Sequence, residues 1–185
     1  MKFPELMTKV LKPEVIQALP KCILTLDPGE TTGYSVWKPN SKFTWSEAPL
    51  YEANQVKTKT IRQAIARETS KEQSLYSLFA GFAPDLVVFE DYRVYGWKTE
   101  EHAWSSVHTI QLIGYIKSEC ITRGIPFVIQ SAQVAKQFCT DEKLDTWGYY
   151  KPGLRHGRDA IRHGAYYILF GSQKEYDSEG YVKAK

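Results

Sequence analysis

Asp27 closes the apolar run Cys22-Ile23-Leu24-Thr25-Leu26, and Pro28-Gly29 and Thr31-Thr32-Gly33 follow it directly. The pattern predicts a strand, a tight turn and a second strand from Tyr34 to Trp37, with a carboxylate where the chain leaves the core. Charged groups are seldom buried there without a partner, although an ordinary hairpin with a turn aspartate has the same local sequence. A second apolar run, Leu86-Val87-Val88-Phe89, also ends in acid, at Glu90 and Asp91. A third acidic position, Asp159, stands three residues after His156 in His156-Gly157-Arg158-Asp159-Ala160, ahead of an apolar-periodic stretch to Phe170. On a helix, residues three apart share a face. Two strand ends and one helix face can therefore bring Asp27, Glu90, Asp159 and His156 into one acidic pocket.

Divalent-metal catalysis needs such a pocket. Hard cations such as Mg2+ take oxygen ligands, a few carboxylates plus water and substrate phosphate. Two metals about 4 Å apart can activate a water and stabilise the leaving oxygen of an in-line displacement. Three carboxylates and one phosphate carry about four negative charges, which two divalent cations balance. Histidine can bind metal, or orient or protonate water. In an extended strand Asp91 faces away from Glu90, which makes Glu90 the expected ligand and Asp91 a surface or orienting residue. His163 lies one turn beyond Asp159, where support of the site, packing and exposure are all compatible with its position. His102 and His108 have no acidic motif beside them and are expected to be structural.

The elements that must position these groups follow from periodicity and punctuation. Residues 1–20 read as an extension with one short helix between Pro4 and Pro20. Strands are expected at 21–27, 33–38 and 42–46, then a polar segment at 51–70 with a helix from about Val56 to Arg67, and a further helix from Lys71 to Phe82 ended by Pro84. A strand at 85–90 precedes a long helix at 100–123, with Ala103, Val107, Ile110, Gly114 and Ile121 on one face. A buried strand over Pro126 to Ile129, a short helix from Ser131 to about Phe138, a loop at 141–155, a helix at 156–170 and a polar tail at 171–185 complete the chain. The order predicts an α/β fold, a mixed five-stranded sheet flanked by helices, with Asp27 and Glu90 on adjacent strands.

Composition fits this reading. The chain has 185 residues, 43% hydrophobic and 24% charged, with net charge +3, so one folded domain is expected. With three acids set aside for metal, the remaining surface is more basic, which is compatible with nucleic acid. Cys22, Cys120 and Cys139 lie in or beside apolar segments; an odd count without a close pair suggests reduced thiols and a cytoplasmic protein. Zinc-ligand spacing is absent. No stretch has membrane-spanning length, and the first twenty residues lack the apolar core of a signal peptide.

Leu26-Asp27-Pro28-Gly29 with Thr32-Gly33-Tyr34, Val88-Phe89-Glu90-Asp91 and His156-Gly157-Arg158-Asp159-Ala160 resemble the RuvC family of Holliday junction resolvases, within the ribonuclease H-like superfamily. The likeness spans residues 21–170, read as the nuclease domain. Asp91-Tyr92-Arg93-Val94-Tyr95 and Arg162-His163 look most like the short resolvase-like proteins of bacteriophages, acting in a bacterial cytoplasm. The resemblance implies a Mg2+-dependent endonuclease, with Mn2+ able to substitute, acting as a homodimer that cuts two opposed strands of a four-way junction or other branched DNA. Asp27 matches the first-strand acid, Glu90 the central-strand acid and Asp159 the final-helix acid. His156 matches a slot that holds His in some relatives and Asp in others. The segment before Lys21 and the longer stretch between Trp45 and Phe82 depart from the pattern and bear on substrate preference.

Arg155, Arg158 and Arg162 beside the acidic helix, and Lys136 after the fifth strand, are candidates for phosphate contact, with a solvated face as the bland reading. Tyr92, Tyr95 and Trp97 follow the central acid and can stack on unpaired bases at a junction, or pack in a core or interface. Gly114 permits close helix approach, as a symmetric dimer contact or within the chain. Two other functions share some of these features. An Asp-x-Gly-x-Thr hairpin also cradles phosphate in ATP-binding kinase-like proteins, but these need a second domain and leave His156 and Asp159 without a role. A non-catalytic binder of branched DNA does not explain three retained acids.

Overall fold

A computed structural model describes residues 1–39, 45, 49–67, 73–92 and 103–183. Five strands, β1 (Ile23–Asp27), β2 (Thr31–Trp37), β3 (Leu50–Lys57), β4 (Leu86–Asp91) and β5 (Phe127–Ser131), form one sheet in the order β3-β2-β1-β4-β5. The first three pair antiparallel, and β4 and β5 continue parallel to β1. This is the mixed sheet that the element order predicts, in the ribonuclease H-like arrangement that the resemblance implies. Eight helices are described: α1 (Phe3–Val10), α2 (Pro13–Gln17), α3 (Ile61–Ile65), α4 (Leu75–Phe82), α5 (Ala103–Arg123), α6 (Ala132–Phe138), α7 (Asp141–Trp147) and α8 (Arg155–Tyr166). The chain of α8 runs on into a π-helical turn at Tyr167–Gly171. Among the described residues no helix is long and apolar enough to cross a membrane.

Side chains alternate across a strand, and that parity builds two cores. Leu24, Leu26, Tyr34, Val36, Val87, Phe89 and Ile129 pack under Leu75, Leu78 and Phe79 of α4 and Leu112, Ile116 and Cys120 of α5. Ile23, Trp37, Leu86, Val88 and Val128 pack on the opposite face under Ile161 and Ala165 of α8 and Phe3 and Met7 of α1. Asp27 continues the parity of Ile23 and Thr25, and Glu90 that of Leu86 and Val88, so both acids face the α8 side.

Several element boundaries differ from expectation. Among the described residues the third strand is Leu50–Lys57; of the strand expected at 42–46 only Trp45 is described, buried in a turn, and the rest lies outside the described residues. β3 carries no continuous apolar run because it lies at a sheet edge, where Tyr51, Asn54 and Lys57 can stay wet. The helix expected from Val56 to Arg67 shrinks to α3, started by Thr60, whose hydroxyl accepts from the Gln63 amide. The helix expected from Lys71 starts at Leu75, where Ser74 caps it. The stretch read as a loop at 141–155 contains α7, capped by Thr140 and closed by Gly148 in the left-handed region.

The two ends of the chain are built into the fold. Phe3, Met7, Leu11 and Leu19 are core residues, and the Phe3 ring lies 5.0 Å from that of Trp147. After the π-turn, Tyr176 and Val182 form a bridge, and the Gly180 carbonyl accepts from the Ile129 amide at 2.8 Å, covering part of the outer edge of β5.

Candidate active site

Leu26 pairs with Phe89 in the parallel ladder, so the next residues, Asp27 and Glu90, stand side by side at the carboxyl ends of β1 and β4. Ligands of open α/β sheets bind beyond these carboxyl ends of parallel strands. The third acid arrives on α8, which is stitched to the sheet by hydroxyls. The Thr25 Oγ1 and Ser35 Oγ donate to the Ala160 carbonyl at 2.7 and 3.2 Å, and Trp37 Nε1 donates to Ser35 Oγ at 2.8 Å. A buried Thr and Ser on neighbouring strands are what an apolar-periodicity reading passes over, yet they fix the height of Asp159 above β1.

The helix also needs glycine beneath it. A Cβ at Gly33 would overlap the carbonyl of His156, and one at Gly164 would overlap the Trp37 indole. Close approach, and not a turn, is therefore the reason for Gly33.

The four residues singled out as catalytic come together. Asp27 and Asp159 are buried, and the His156 Nδ1 lies 2.8 Å from Asp27 Oδ2. Lys136 on α6 reaches between two acids, its Nζ 3.3 Å from both Glu90 Oε2 and Asp159 Oδ2. Asp159 is also gripped by Arg162. Glu90 Oε2 meets the ring of His163 at Nε2, 3.0 Å away.

The electrostatics report mutual proximity. Burial pushes the Asp27 carboxyl up; the charges of Glu90 and Asp159 push it further, against the His156 hydrogen bond and Lys136. His156 is raised by its hydrogen bond to Asp27, against burial. Both directions favour a proton held between the two groups. Burial pushes Glu90 up as well, but the hydrogen bond and charge of His163, with Lys136, outweigh it and leave Glu90 at about 2. Burial lowers the Lys136 ammonium, and Glu90, Asp159 and Asp27 more than reverse that.

Three hard oxygen donors beside an imidazole match the chemistry of a Mg2+ or Mn2+ site. Lys136 already places one positive charge between two of them. Among the described residues no three acid, histidine or cysteine side chains stand arranged as a finished metal cage. Lys136, Arg162, His156 and His163 contact the carboxylate oxygens of these acids. Asp27, Glu90, Asp159 and His156 are the residues that would hold a cation.

The basic and aromatic candidates divide. Arg155 is exposed at the start of α8, near enough to His156 to oppose its protonation. Arg158 donates to the Lys151 carbonyl and lies over the Tyr150 ring. Arg162, expected at phosphate, points inward instead: it bonds Asp159, Asp141 and the Cys139 carbonyl, because α7 presents Asp141 to it. Tyr92 is partly buried at the end of β4. Tyr95, Trp97 and His102 lie outside the described residues. His108, expected to be structural, bonds the Thr58 carbonyl, and the Thr58 hydroxyl donates to the Gly29 carbonyl in the turn after Asp27.

No protein-family model matches the chain, and no curated protein matches it in sequence. Among solved structures, Thermus thermophilus RuvC in complex with Holliday junction substrate aligns with a TM-score of 0.56 at 18% identity, over 81% of this chain and 94% of that one. A second Thermus thermophilus RuvC structure aligns with a TM-score of 0.54 at 18% identity, over 81% and 95% of the two chains. The yeast mitochondrial Holliday junction resolvase Ydc2 aligns at 0.46 and 12% identity, over 92% of each chain. The chain thus has the ribonuclease H-like fold of RuvC.

Proposed function

We propose that this protein is a divalent-metal-dependent endonuclease that cleaves four-way junctions or related branched DNA, working as a homodimer. The observation that carries the reading is the convergence of Asp27, Glu90 and Asp159 beyond adjacent parallel strands, under α8. The RuvC fold, seen in one solved structure with a Holliday junction substrate, supports the choice of substrate. The likeness around Asp91 and Arg162 to the short resolvase-like proteins of bacteriophages supports a phage-type enzyme within this proposal.

When bound, Mg2+, with Mn2+ as a substitute, supplies Lewis-acid charge to an in-line displacement at phosphorus. The chain's own residues do the rest. Asp27, Glu90 and Asp159 would hold the cation at the carboxyl ends of the central strands β1 and β4. His156 is bound to Asp27 through Nδ1, so Nε2 is the atom that can orient a water or exchange a proton. Lys136 neutralises the acids in the metal-free state and contacts substrate phosphate in the loaded one. Arg155 and Arg158, with Tyr92 and Tyr95, extend the contact to the DNA backbone and unpaired bases. Arg162 holds Asp159.

The dimer reading rests on α5. Leu112, Ile116 and Cys120 face the core, whereas Val107, Ile110 and Ile121 are exposed and share their face with Gly114. A twofold contact there presents two sites to opposed strands. The Lys136 bridge favours a second reading, a non-catalytic binder of branched DNA whose acids are neutralised from within. One experiment separates the two: labelled four-way junction, duplex, single strand and RNA–DNA hybrid, each with Mg2+ or EDTA. Paired cuts in the junction with Mg2+, lost in Asp27→Asn, Glu90→Gln and Asp159→Asn while junction binding persists, are the expected result. Junction binding without cleavage supports the binder.

A further inference from the structure

We infer that His163, held by Gln130, is a positioning residue that sets the orientation of Glu90 for metal binding; the inference rests on the metal-site reading above. His163 is fully buried, yet both ring nitrogens are partnered. Nε2 lies 3.0 Å from Glu90 Oε2, and Nδ1 lies 3.0 Å from Gln130 Oε1. A buried imidazole with two polar partners is fixed in rotation about its own axis. It therefore fixes the carboxylate at its far end.

The geometry is built from three elements. Gln130 sits beside Glu90 in the parallel ladder between β4 and β5, and it shares the parity of Val128, on the α8 face. His163 is one turn beyond Asp159 on α8, so the same helix that delivers the third acid also delivers the donor to the second. The Gln130 Nε2 is buried without a partner in this amide orientation. Turning the amide lets Nε2 donate to Nδ1, which leaves the ring hydrogen on Nε2, aimed at Glu90. In either orientation the atom facing Glu90 is His163 Nε2: with the amide turned a single ring hydrogen on Nε2 suffices to donate to the carboxylate, whereas with Gln130 Oε1 facing Nδ1 both ring nitrogens must carry a hydrogen to serve both acceptors.

This arrangement differs from the part played by Lys136. The lysine is half-exposed and also reaches Asp159, so it can leave when a cation arrives. His163 has no exposed position to move to. It occupies one lone-pair direction of Glu90 and leaves the others for the metal. Partners of this kind around metal-binding carboxylates typically contribute about 10–100-fold in metal affinity.

The test is Mn2+ binding to the full chain by calorimetry, without DNA, alongside thermal unfolding of the same samples. His163→Leu removes the donor and keeps an apolar side chain in the buried space; Mn2+ should bind about 10–100-fold more weakly. His163→Gln restores an N–H near the Nε2 position and should recover most of the affinity. Gln130→Met leaves the ring without its second partner and should give an intermediate loss; it is the variant to read if His163→Leu does not fold. The Mn2+ concentration for half-maximal junction cleavage should rise in the same order, with the rate recovered at saturating Mn2+. Wild-type affinity in folded His163→Leu, or in Gln130→Met if the former does not fold, overturns this inference alone. So does His163→Gln as weak as His163→Leu, because packing and not the donor would then matter. A wild-type chain that binds no Mn2+ overturns the metal-site reading, and the role of His163 with it.

Discussion

Asp27, Glu90 and Asp159 each have a basic partner supplied by α8: His156, His163 and Arg162 in turn. One helix carries an acid and three donors because residues three and four apart return to the same face. The spacing of His156 and Asp159 was readable for that reason. Gln130, Asp141 and Lys136 were harder to place: their role depends on which strands and helices become neighbours, and Lys136 resembled any exposed lysine after a strand. The Asp27–His156 pair makes a prediction about pH. Both groups sit above their ordinary values, and the histidine reference is 6.5. A raised histidine contributes stability that is complete below about pH 6.5 and is lost as pH rises through its folded-state value; a raised carboxyl changes stability in the same direction. Glu90 is lowered and acts oppositely, but only in the acidic window below its ordinary value of 4.5. In EDTA the melting temperature should therefore decline as pH rises above the ordinary histidine value of 6.5, and Mg2+ should reduce that decline by occupying the deprotonated site. A flat profile in EDTA would show that the pair does not hold its proton.

At the scale of elements, the site depends on how closely α8 lies on β1, β2 and β3. Gly33 meets the His156 carbonyl, and Gly157 meets the Asn54 carbonyl. Gly33→Ala forces the N-terminal end of α8 away from the sheet, since the obstructing atoms are backbone. The cost should be about 1–3 kcal/mol or more, read by urea unfolding, and junction cleavage should fall further than stability does because His156 separates from Asp27. Retained cleavage at wild-type rate would mean that the helix can shift without disturbing the site. The strands carrying Asp27 and Glu90 were legible because burial on both faces makes continuous apolar runs. β3 was not, because only Val56 of its residues is buried. α7 was hidden by its length of seven residues, too short for a clear apolar period.

The whole molecule is a sheet with two unequal sides. α8 and the first residues cover one side and the acids emerge beneath them; α4 and α5 cover the other, and α5 turns an apolar stripe outward. If the proposed homodimer forms through that stripe, Ile110→Glu should convert it to monomer in sedimentation velocity at micromolar concentration, and should abolish the proposed paired cuts while leaving single nicks. A variant that remains dimeric would place the contact elsewhere. The class of fold could be read from strand order and helix punctuation, whereas the docking of both chain ends could not, since it depends on partners far along the sequence. Lys2 donates to the Thr146 carbonyl across 144 positions, and Phe3 lies against Trp147 and Tyr149. That separation has a consequence for synthesis. At ribosomal speeds of about 5–20 residues per second, the first helix waits on the order of ten seconds for the rings that bury Phe3. Through that interval Phe3, Met7 and Leu11 are exposed to whatever binds nascent apolar segments. The side of the sheet that bears the acids therefore closes only after most of the polypeptide has emerged.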